Sequence, residues 1–240
     1  QGHKPYLMVY ANLEEIFDSM KVHIENRGGL DTSFEVACMG DPLALEHITG
    51  ALAKTIEFFG SLKNGQLRVV TKFDNVDPVL NIRHNGHTRF RVSLNSNYVI
   101  NSFEHNTASL DERITAASKL SDAGYPIGFI IAPLMVYDNW KEEYGDLFAK
   151  LKNSLTRAKE SEPVTFELIQ HRYTSTAKDI ILERFPNTRL DMDESRRMLK
   201  WGKFGRFKYV YPKETAQEIK EHVSSAILKN FPDAVIEYFT

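Results

Sequence analysis

Cys38 is the single cysteine among the 240 residues of this chain, and its position suggests chemistry. It closes a strand-like run that begins at Ser33, and the pair Asp41-Pro42, a typical helix start, follows shortly after it. A lone thiol cannot form a disulfide within the chain. Where a buried strand opens into a loop, such a thiol is either a small hydrophobic residue in a core or a reactive group at the mouth of a site.

The ends of the other predicted strands also carry polar or reactive side chains. In parallel α/β folds, catalytic and binding residues gather at the C-terminal ends of the strands. Besides Cys38, the residues placed there are Asp41, Lys72, Ser93, Asn95, Ala132, Gln170, His171 and Arg172. A thiol, an amine, a hydroxyl, an amide and an imidazole on one rim form a candidate site.

Each of these residues also has a structural interpretation. Lys72 suits a solvated strand end, and Ser93 and Asn95 suit the backbone of a turn. Asp41 precedes Pro42 and is expected to cap a helix. His171 is as well suited to a structural hydrogen bond as to catalysis.

Other familiar catalytic and metal motifs are weak or absent from the sequence. The segment His84-Asn85-Gly86-His87 brings two imidazoles close, but Asn-Gly is typical of a tight turn, and no cysteine or carboxylate completes a ligand set. There is no P-loop, no GxGxxG sequence that opens a helix and no nucleophile elbow. The sequence therefore predicts neither a metal site formed by these residues nor hydrolysis by a standard triad.

A basic and aromatic segment, residues 196–211, differs from the sequence before it. Its cations and rings are Arg196, Arg197, Lys200, Trp201, Lys203, Phe204, Arg206, Phe207, Lys208 and Tyr209. Gly202 and Gly205 indicate turns in a β-ribbon. Cations bind phosphates and flat rings stack on bases, so the mixture suits nucleic acid, including a duplex held open around an extruded base. The alternative is a solvated hairpin whose rings pack on the rest of the chain.

Helix and strand patterns alternate along most of the chain. Helices are predicted at 13–27, 42–59, 109–124, 140–158, about 175–185 and 213–231, with a short helical stretch at 76–82. Strands are predicted at 33–38, 67–72, 89–94, 127–132, 164–170 and 235–239. The first five strands, separated by helices, predict a parallel sheet in an α/β fold, and the pattern fits a partial (β/α) barrel of the TIM type.

Composition and charge narrow the class of protein. With 42% hydrophobic and 26% charged residues, the chain has the composition of a globular protein. We predict a barrel over residues 1–190, and a hairpin, a helix and a strand at 191–240 that pack on it. The net charge of −2 gives no overall attraction to nucleic acid, so DNA binding requires a local patch. No apolar stretch reaches the roughly 20 residues that span a bilayer, so no membrane partner is predicted. Together with the single cysteine and the lack of a signal peptide, this predicts the cytoplasm.

Six segments of the chain resemble spore photoproduct lyase, a family of radical S-adenosylmethionine (SAM) enzymes that repair DNA in germinating spores. They are FEVACMGD at 34–41, VTKF at 70–73, RHNGHTRFRVSLNSNYV at 83–99, TFELIQHR at 165–172, KWGKFGRFKYVY at 200–211 and YFT at 238–240. The similarity runs over essentially the whole chain in the same order. Such long shared runs are far more specific than a short motif.

The resemblance implies an activity, its cofactors and its partners. A [4Fe-4S] cluster would reduce bound SAM, and the resulting 5'-deoxyadenosyl radical would remove hydrogen from C6 of the spore photoproduct (5-thyminyl-5,6-dihydrothymine), which then separates into two thymines. Cys38 matches the family's hydrogen-atom donor to the remaining thymine radical. The implied partners are double-stranded DNA that contains the photoproduct and an electron donor such as a flavodoxin or ferredoxin. The implied location is the spore core of a spore-forming bacterium.

The resemblance also implies roles for other residues. Lys72, Ser93, Asn95 and Ala132 match positions around SAM, and Asp41 falls beside the lesion. The DNA-contacting positions of the hairpin are Lys203, Phe204 and Lys208, and His171 is grouped with these substrate-binding residues. The family commonly has Arg and Tyr in place of Lys203 and Phe204, and Ser in place of Gly40. Lys lacks the bidentate fork of Arg, so phosphate contact is expected to be less directional.

The cluster motif of this superfamily, CxxxCxxC, is absent from the sequence. In the family it lies just upstream of a segment resembling Gln1 to Tyr6. The sequence is therefore interpreted as a C-terminal portion of a longer protein, with the cluster ligands expected before Gln1. The alternative functions are a non-catalytic module that binds damaged DNA and a barrel enzyme that uses His171 and Lys72 in polar chemistry.

Overall fold

The structure is a computed structural model that describes residues 9–36, 40–155, 162–202, 205 and 207–240. Its strands are β1 (Thr32–Val36), β2 (Gly65–Thr71), β3 (Thr88–Leu94), β4 (Ile127–Leu134), β5 (Thr165–Gln170), β6 (Met198–Trp201), β7 (Phe207–Val210) and β8 (Val235–Phe239). Six of them form one sheet in the order β1-β2-β3-β4-β5-β8. The other two, β6 and β7, pair as a separate antiparallel ribbon.

Helices connect most of the strands. They are α1 (Leu13–Asn26), α2 (Glu46–Thr49), α3 (Ala51–Gly60), α4 (Asn97–Phe103), α5 (Leu110–Asp122), α6 (Trp140–Ser154), α7 (Ser175–Arg184) and α8 (Lys213–Asn230). Short 3-10 turns lie at Pro42–Leu45, Asp77–Val79 and Glu194–Arg196. Among the described residues, no helix combines the length and the apolar character needed to cross a bilayer.

The described residues divide into two compact units. The first unit comprises Gln1–Val92, Glu112–Gly128 and Leu155–Pro163, and the second comprises Ser93–Asp111, Phe129–Ser154 and Val164–Thr240. The predicted boundary at residue 190 differs from this division and stays a prediction.

In the first unit, three parallel strands form the centre of the core. Phe34 of β1 lies opposite Leu67 of β2, and Leu67 lies opposite Thr88 of β3. Along β2, buried and half-buried residues alternate, as expected for a strand with two different faces. Phe59 of α3 is fully buried, and its ring centroid lies 5.5 Å from that of Phe34. Because the strands run parallel, the chain leaves all of them at the same edge, where the predicted site residues follow.

In the second unit, aromatic packing surrounds β5. The ring of Phe166 lies 5.4 Å from Phe129, 5.9 Å from Phe148 and 5.6 Å from Phe231, measured between centroids. In the sheet, β5 lies between β4 and β8, and it pairs in parallel with β8. This packing holds β5 in the core; the strand ends at Gln170 and is followed by His171.

The structure corrects three details of the predicted elements. The predicted helix at 42–59 is broken, because Gly50 takes a left-handed φ of 58° and ends α2. The predicted five-stranded sheet gains a sixth strand, since β8 pairs with β5. The helix α4 was not predicted, because it has only seven residues and the polar run Asn95-Ser96-Asn97 at its start is equally typical of a turn.

Candidate functional site

Asp41 joins the ends of two strands in the first unit. Its carboxylate accepts hydrogen bonds from the backbone N–H of Leu43 at 3.1 Å and of Lys72 at 2.7 Å. The Thr71 hydroxyl donates to both of its oxygens, at 2.9 and 3.0 Å. Asp41 therefore caps the turn at Pro42–Leu45, as predicted, and also ties the loop after β1 to the end of β2.

Burial and hydrogen bonding act in opposite directions on Asp41. Burial raises the pKa of this carboxyl above its usual 3.8, while the bonds from Lys72, Thr71 and Leu43 lower it. Burial is the larger effect. The donors that surround Asp41 hold its position at the end of β2.

Two predicted site residues, Asp41 and Lys72, lie in the first unit, and three others fall outside the described residues. Lys72 follows β2 directly, and its side chain is half-buried. Cys38, Lys203 and Phe204 lie outside the described residues. The structure therefore brings Asp41 and the backbone of Lys72 together at one strand end.

Asn95 is the centre of a hydrogen-bond network in the second unit. Its side-chain N–H donates to the Pro133 carbonyl at 2.9 Å, and its oxygen accepts from the Tyr144 hydroxyl at 2.9 Å and the Ser96 N–H at 2.9 Å. Asn95 is fully buried. This amide therefore fixes the end of β3 against the last residues of β4, next to Ala132.

Two tyrosines that the sequence analysis did not single out complete this network. The Tyr144 hydroxyl also accepts from the Met135 N–H at 3.2 Å. The Tyr137 hydroxyl donates to Ser96 Oγ at 2.6 Å, and its ring stacks on that of Tyr98 at 4.2 Å. Burial raises the pKa of Tyr144 well above its usual 10.0, so its hydroxyl remains a donor. Their spacing along the chain is typical of ordinary core residues, so no sequence signal marks them.

Ser93 and Ala132 lie near the ends of β3 and β4, the two strands that Asn95 connects. Ser93 is the penultimate residue of β3 and is buried. Ala132 lies within β4, two residues before its end, and is half-buried. Both belong to the second unit, and the segment that carries Ala132 is held by Asn95 through Pro133.

His171 follows β5 and is buried. Its N–H donates to the Leu134 carbonyl at 2.8 Å, so its backbone is fixed at the end of β4. Burial, and then the positive charge of Arg197, lower the pKa of its imidazole from 6.5 to about 4, while Asp191 acts in the opposite direction. At neutral pH His171 is therefore an uncharged imidazole.

The predicted β-ribbon is present. Lys200 of β6 lies directly opposite Lys208 of β7, and Gly205 takes a left-handed φ of 71° in the turn. Trp201 is 66% exposed and packs against Phe207 of the facing strand, with 4.2 Å between ring centroids. Two like charges opposite each other destabilise a free ribbon, whereas a bound anion relieves their repulsion. An exposed ring beside paired lysines suits a nucleic acid.

The two histidines at 84 and 87 are part of a turn. The His87 N–H donates to the His84 carbonyl at 2.9 Å, and Asn85 and Gly86 both take positive φ values, 48° and 78°. Each imidazole lies within hydrogen-bond distance of a backbone carbonyl, that of Ala123 at 3.2 Å and that of Gly65 at 2.9 Å. The interpretation of this segment as a tight turn is confirmed.

Comparison with known proteins identifies what the chain is similar to. The family model "Spore photoproduct lyase" matches residues 1–240. The spore photoproduct lyase of Geobacillus sp. (strain Y412MC61) is 47% identical over 239 residues, which is 100% of this chain and 70% of that protein. The enzyme of Bacillus subtilis (strain 168) is 46% identical, with the same coverage.

Solved structures agree with the sequence relatives. A spore photoproduct lyase complexed with dinucleoside spore photoproduct superposes with a TM-score of 0.94 at 46% identity, covering 100% of this chain and 70% of that one. A mutant with bound AdoMet and dinucleoside spore photoproduct matches with the same TM-score, identity and coverage. The predicted α/β fold, a partial (β/α) barrel of the radical SAM type, is confirmed.

Proposed function

Because the chain belongs to the spore photoproduct lyase family, we propose that it carries the residues with which such a lyase reverses the spore photoproduct to two thymines. The observation that carries this proposal is 46% identity over the whole chain to an enzyme whose structure holds the dinucleoside photoproduct. A non-catalytic module that binds damaged DNA is disfavoured, because the relatives that match nearly all of this chain are named as lyases.

Cys38 is the proposed hydrogen-atom donor. Its S–H bond would break as a C–H bond forms on the thymine radical, which leaves a sulfur-centred radical on the protein. The step needs neither a nucleophile nor a metal ligand, so a lone cysteine is sufficient for it. Asp41 supports this role, because it lies three residues after Cys38 in the sequence and is anchored to the end of β2.

Lys72, Ser93 and Ala132 are each proposed to contact SAM, and Asn95 is proposed to support Ala132. SAM carries a carboxylate, an amine and ribose hydroxyls, and an ammonium and a hydroxyl group at strand ends match these in charge and hydrogen bonding. When bound, SAM supplies the radical that removes hydrogen from the lesion. Asn95 is fully buried and its hydrogen bonds run to protein atoms, so its proposed contribution is to position the end of β4 beside Ala132.

The iron–sulfur cluster of the family does not fit the residues of this chain. Such clusters are held by several cysteine thiolates, and the sequence contains one cysteine. No group of three or more His, Cys, Asp or Glu side chains in the described part of the chain forms a metal site. We therefore assign no step to a cluster held by these residues.

The ribbon of β6 and β7 is the proposed contact with double-stranded DNA around the lesion. Of the three predicted DNA-contacting residues, Lys208 lies in β7. Lys203 and Phe204 belong to the same proposal and lie outside the described residues. His171 is proposed to bind the same substrate at the end of β5. A flavodoxin or ferredoxin as electron donor, and the spore core as the location, complete the proposal, in keeping with relatives from Bacillus and Geobacillus.

The test is turnover by the natural protein in which this sequence occurs. After reconstitution with iron and sulfide, it is incubated with SAM, a reductant and a dinucleotide spore photoproduct, and thymine is measured by chromatography. We expect thymine release that depends on SAM. Absence of thymine while the cluster is spectroscopically intact would contradict the proposal.

Substitution of Cys38 tests its role within this reaction. In Cys38→Ala we expect the lesion still to be cleaved, with the thymine radical diverted to adducts because no donor is present. Cys38→Ser should behave in the same way, since an O–H bond is too strong to yield its hydrogen to a carbon radical. An unchanged product distribution in both variants would remove Cys38 from the mechanism.

A further inference from the structure

A buried arginine lies at the base of the ribbon and is not used in the reaction proposed above. Arg197 immediately precedes β6, and its side chain is 0% exposed. Met198 pairs with Val210, so Arg197 and Tyr211 are the next residues on the two strands. The guanidinium carbon lies 3.8 Å from the centroid of the Tyr211 ring, a close cation–π contact.

The guanidinium also binds the segment that leaves β5. One of its terminal nitrogens donates to the His171 carbonyl at 3.3 Å. The other lies 3.3 Å from His171 Nδ1 and donates to the Asp191 carbonyl at 3.1 Å. A guanidinium can only donate, so Nδ1 is the acceptor and the proton of a neutral His171 resides on Nε2.

Two further contacts hold the same end of the ribbon. Tyr173 and Tyr209 exchange backbone hydrogen bonds of 3.2 and 2.8 Å. The Tyr211 hydroxyl accepts from the Val136 N–H at 3.1 Å. The far end differs, because Leu199 and Trp201 are 58% and 66% exposed. The ribbon is thus fixed at its base and presents its other end to solvent.

We propose that Arg197 is a positioning residue that fixes the base of the DNA-binding ribbon to the end of β5 and holds His171 in its Nε2–H form. This inference rests on the proposed function, because the ribbon and His171 are proposed there to bind DNA. A buried guanidinium cannot reach a phosphate, so its effect on DNA passes through the groups it holds. Its neighbour Arg196 is 73% exposed and pairs with Asp193, which makes it a matched control.

The surroundings of His171 agree with this assignment. Among the described residues, the charged or titratable groups that face its ring are Arg197, Asp191 and Tyr173. Burial and Arg197 both lower the pKa of His171, to about 4. The imidazole is therefore neutral at pH 7, and the tautomer decides which of its nitrogens can donate.

Nitrogen-15 NMR of the histidine side chains tests the tautomer directly. In the full chain at pH 7 we expect the His171 signals of a neutral ring protonated on Nε2. In Arg197→Met we expect a mixture of tautomers and a raised pKa, because a donor and a positive charge are lost. Arg196→Met should leave the His171 signals unchanged. If Arg197→Met does not fold, Arg197→Lys, which lacks the fork, should still give the tautomer mixture. Wild-type His171 in the Nδ1–H form, or charged at pH 7, would overturn the proposal.

DNA binding separates positioning from direct contact. For Arg197→Met we expect roughly 10-fold weaker binding to duplex DNA, the size typical of losing a hydrogen-bonded charged group. The dependence of affinity on salt should keep its slope, because no phosphate contact is removed. A reduced slope would make Arg197 a phosphate ligand and refute the inference. If wild type gives the expected His171 signals but has no lyase activity, that result would contradict the proposed function and leave the positioning role of Arg197 intact.

Discussion

Asp41 and Asn95 illustrate what polar residues at strand ends do in this protein. The Asp41 carboxylate binds backbone and side-chain donors at the end of β2. The Asn95 amide joins the ends of β3 and β4 through Pro133. Buried polar groups that are fully bonded to the protein have little left for a ligand, but they hold the neighbouring chain rigidly. Asp41 therefore holds the end of β2, and Asn95 holds the end of β4 next to Ala132.

His171 predicts how stability depends on pH. Its pKa falls from 6.5 to about 4 on folding, so the unfolded chain binds the proton more tightly. The stabilisation is complete above pH 6.5 and is lost as pH falls towards 4. Between pH 7 and pH 5 we expect wild type to lose roughly 2 kcal/mol more unfolding free energy than His171→Gln. Urea unfolding at each pH measures this difference.

The same measurement at pH 8 is the control for the His171 substitution. There the imidazole is neutral in both the folded and the unfolded chain, so the difference between the two proteins reports only the structural cost of the change. If the difference stays constant from pH 8 to pH 5, His171 does not titrate as its burial requires.

At the scale of elements, Gly50 separates α2 from α3. Its φ of 58° is in the left-handed region, and its N–H donates to the Glu46 carbonyl at 2.9 Å. A Cβ at Gly50 meets no atom within 4 Å, so only the backbone conformation opposes a side chain. We expect Gly50→Ala to destabilise the protein by about 1 kcal/mol, measured by chemical denaturation.

Gly145 provides the opposite case. It lies in α6, and a Cβ there also meets no atom within 4 Å, but its backbone is helical. Gly145→Ala should therefore stabilise the protein by roughly 0.5–1 kcal/mol. Equal effects of the two substitutions would show that the φ of Gly50 does not limit this position.

The elements show which parts of the structure a sequence can predict. Strands such as β2 and β3 were predicted because their apolar runs and flanking turn residues are local signals. The break at Gly50 was missed, since an isolated glycine is also tolerated within a helix. Likewise Tyr144 was not singled out, and Arg197 was grouped with the phosphate-binding cations although its side chain is buried. Their roles depend on partners that lie 49 and 26 positions away in the chain. Local patterns therefore predict strand ends, whereas the contacts that rigidify them come from the tertiary fold.

At the scale of the whole molecule, charge does not favour DNA. The net charge of −2 means that attraction must come from the arrangement of a few cations. Lys200 and Lys208 face each other across the ribbon, and this repulsion is unfavourable unless an anion binds between or beside them. The ribbon concentrates positive charge beside the exposed Trp201. Its lysines should therefore dominate the salt dependence of DNA binding.

Alanine substitutions of these lysines test that expectation. If Lys208 contacts a phosphate, Lys208→Ala should reduce the slope of log affinity against log salt by about 0.9, because one fewer counterion is released from duplex DNA. Lys200→Ala should do the same, and the double variant should lose about twice as much. Lys229→Ala, at the exposed end of α8, is the matched control and should leave the slope unchanged. Fluorescence anisotropy over a series of salt concentrations gives the slope for wild type and for each of the four variants. Equal slopes for wild type and the ribbon variants would exclude the ribbon as the phosphate-binding surface.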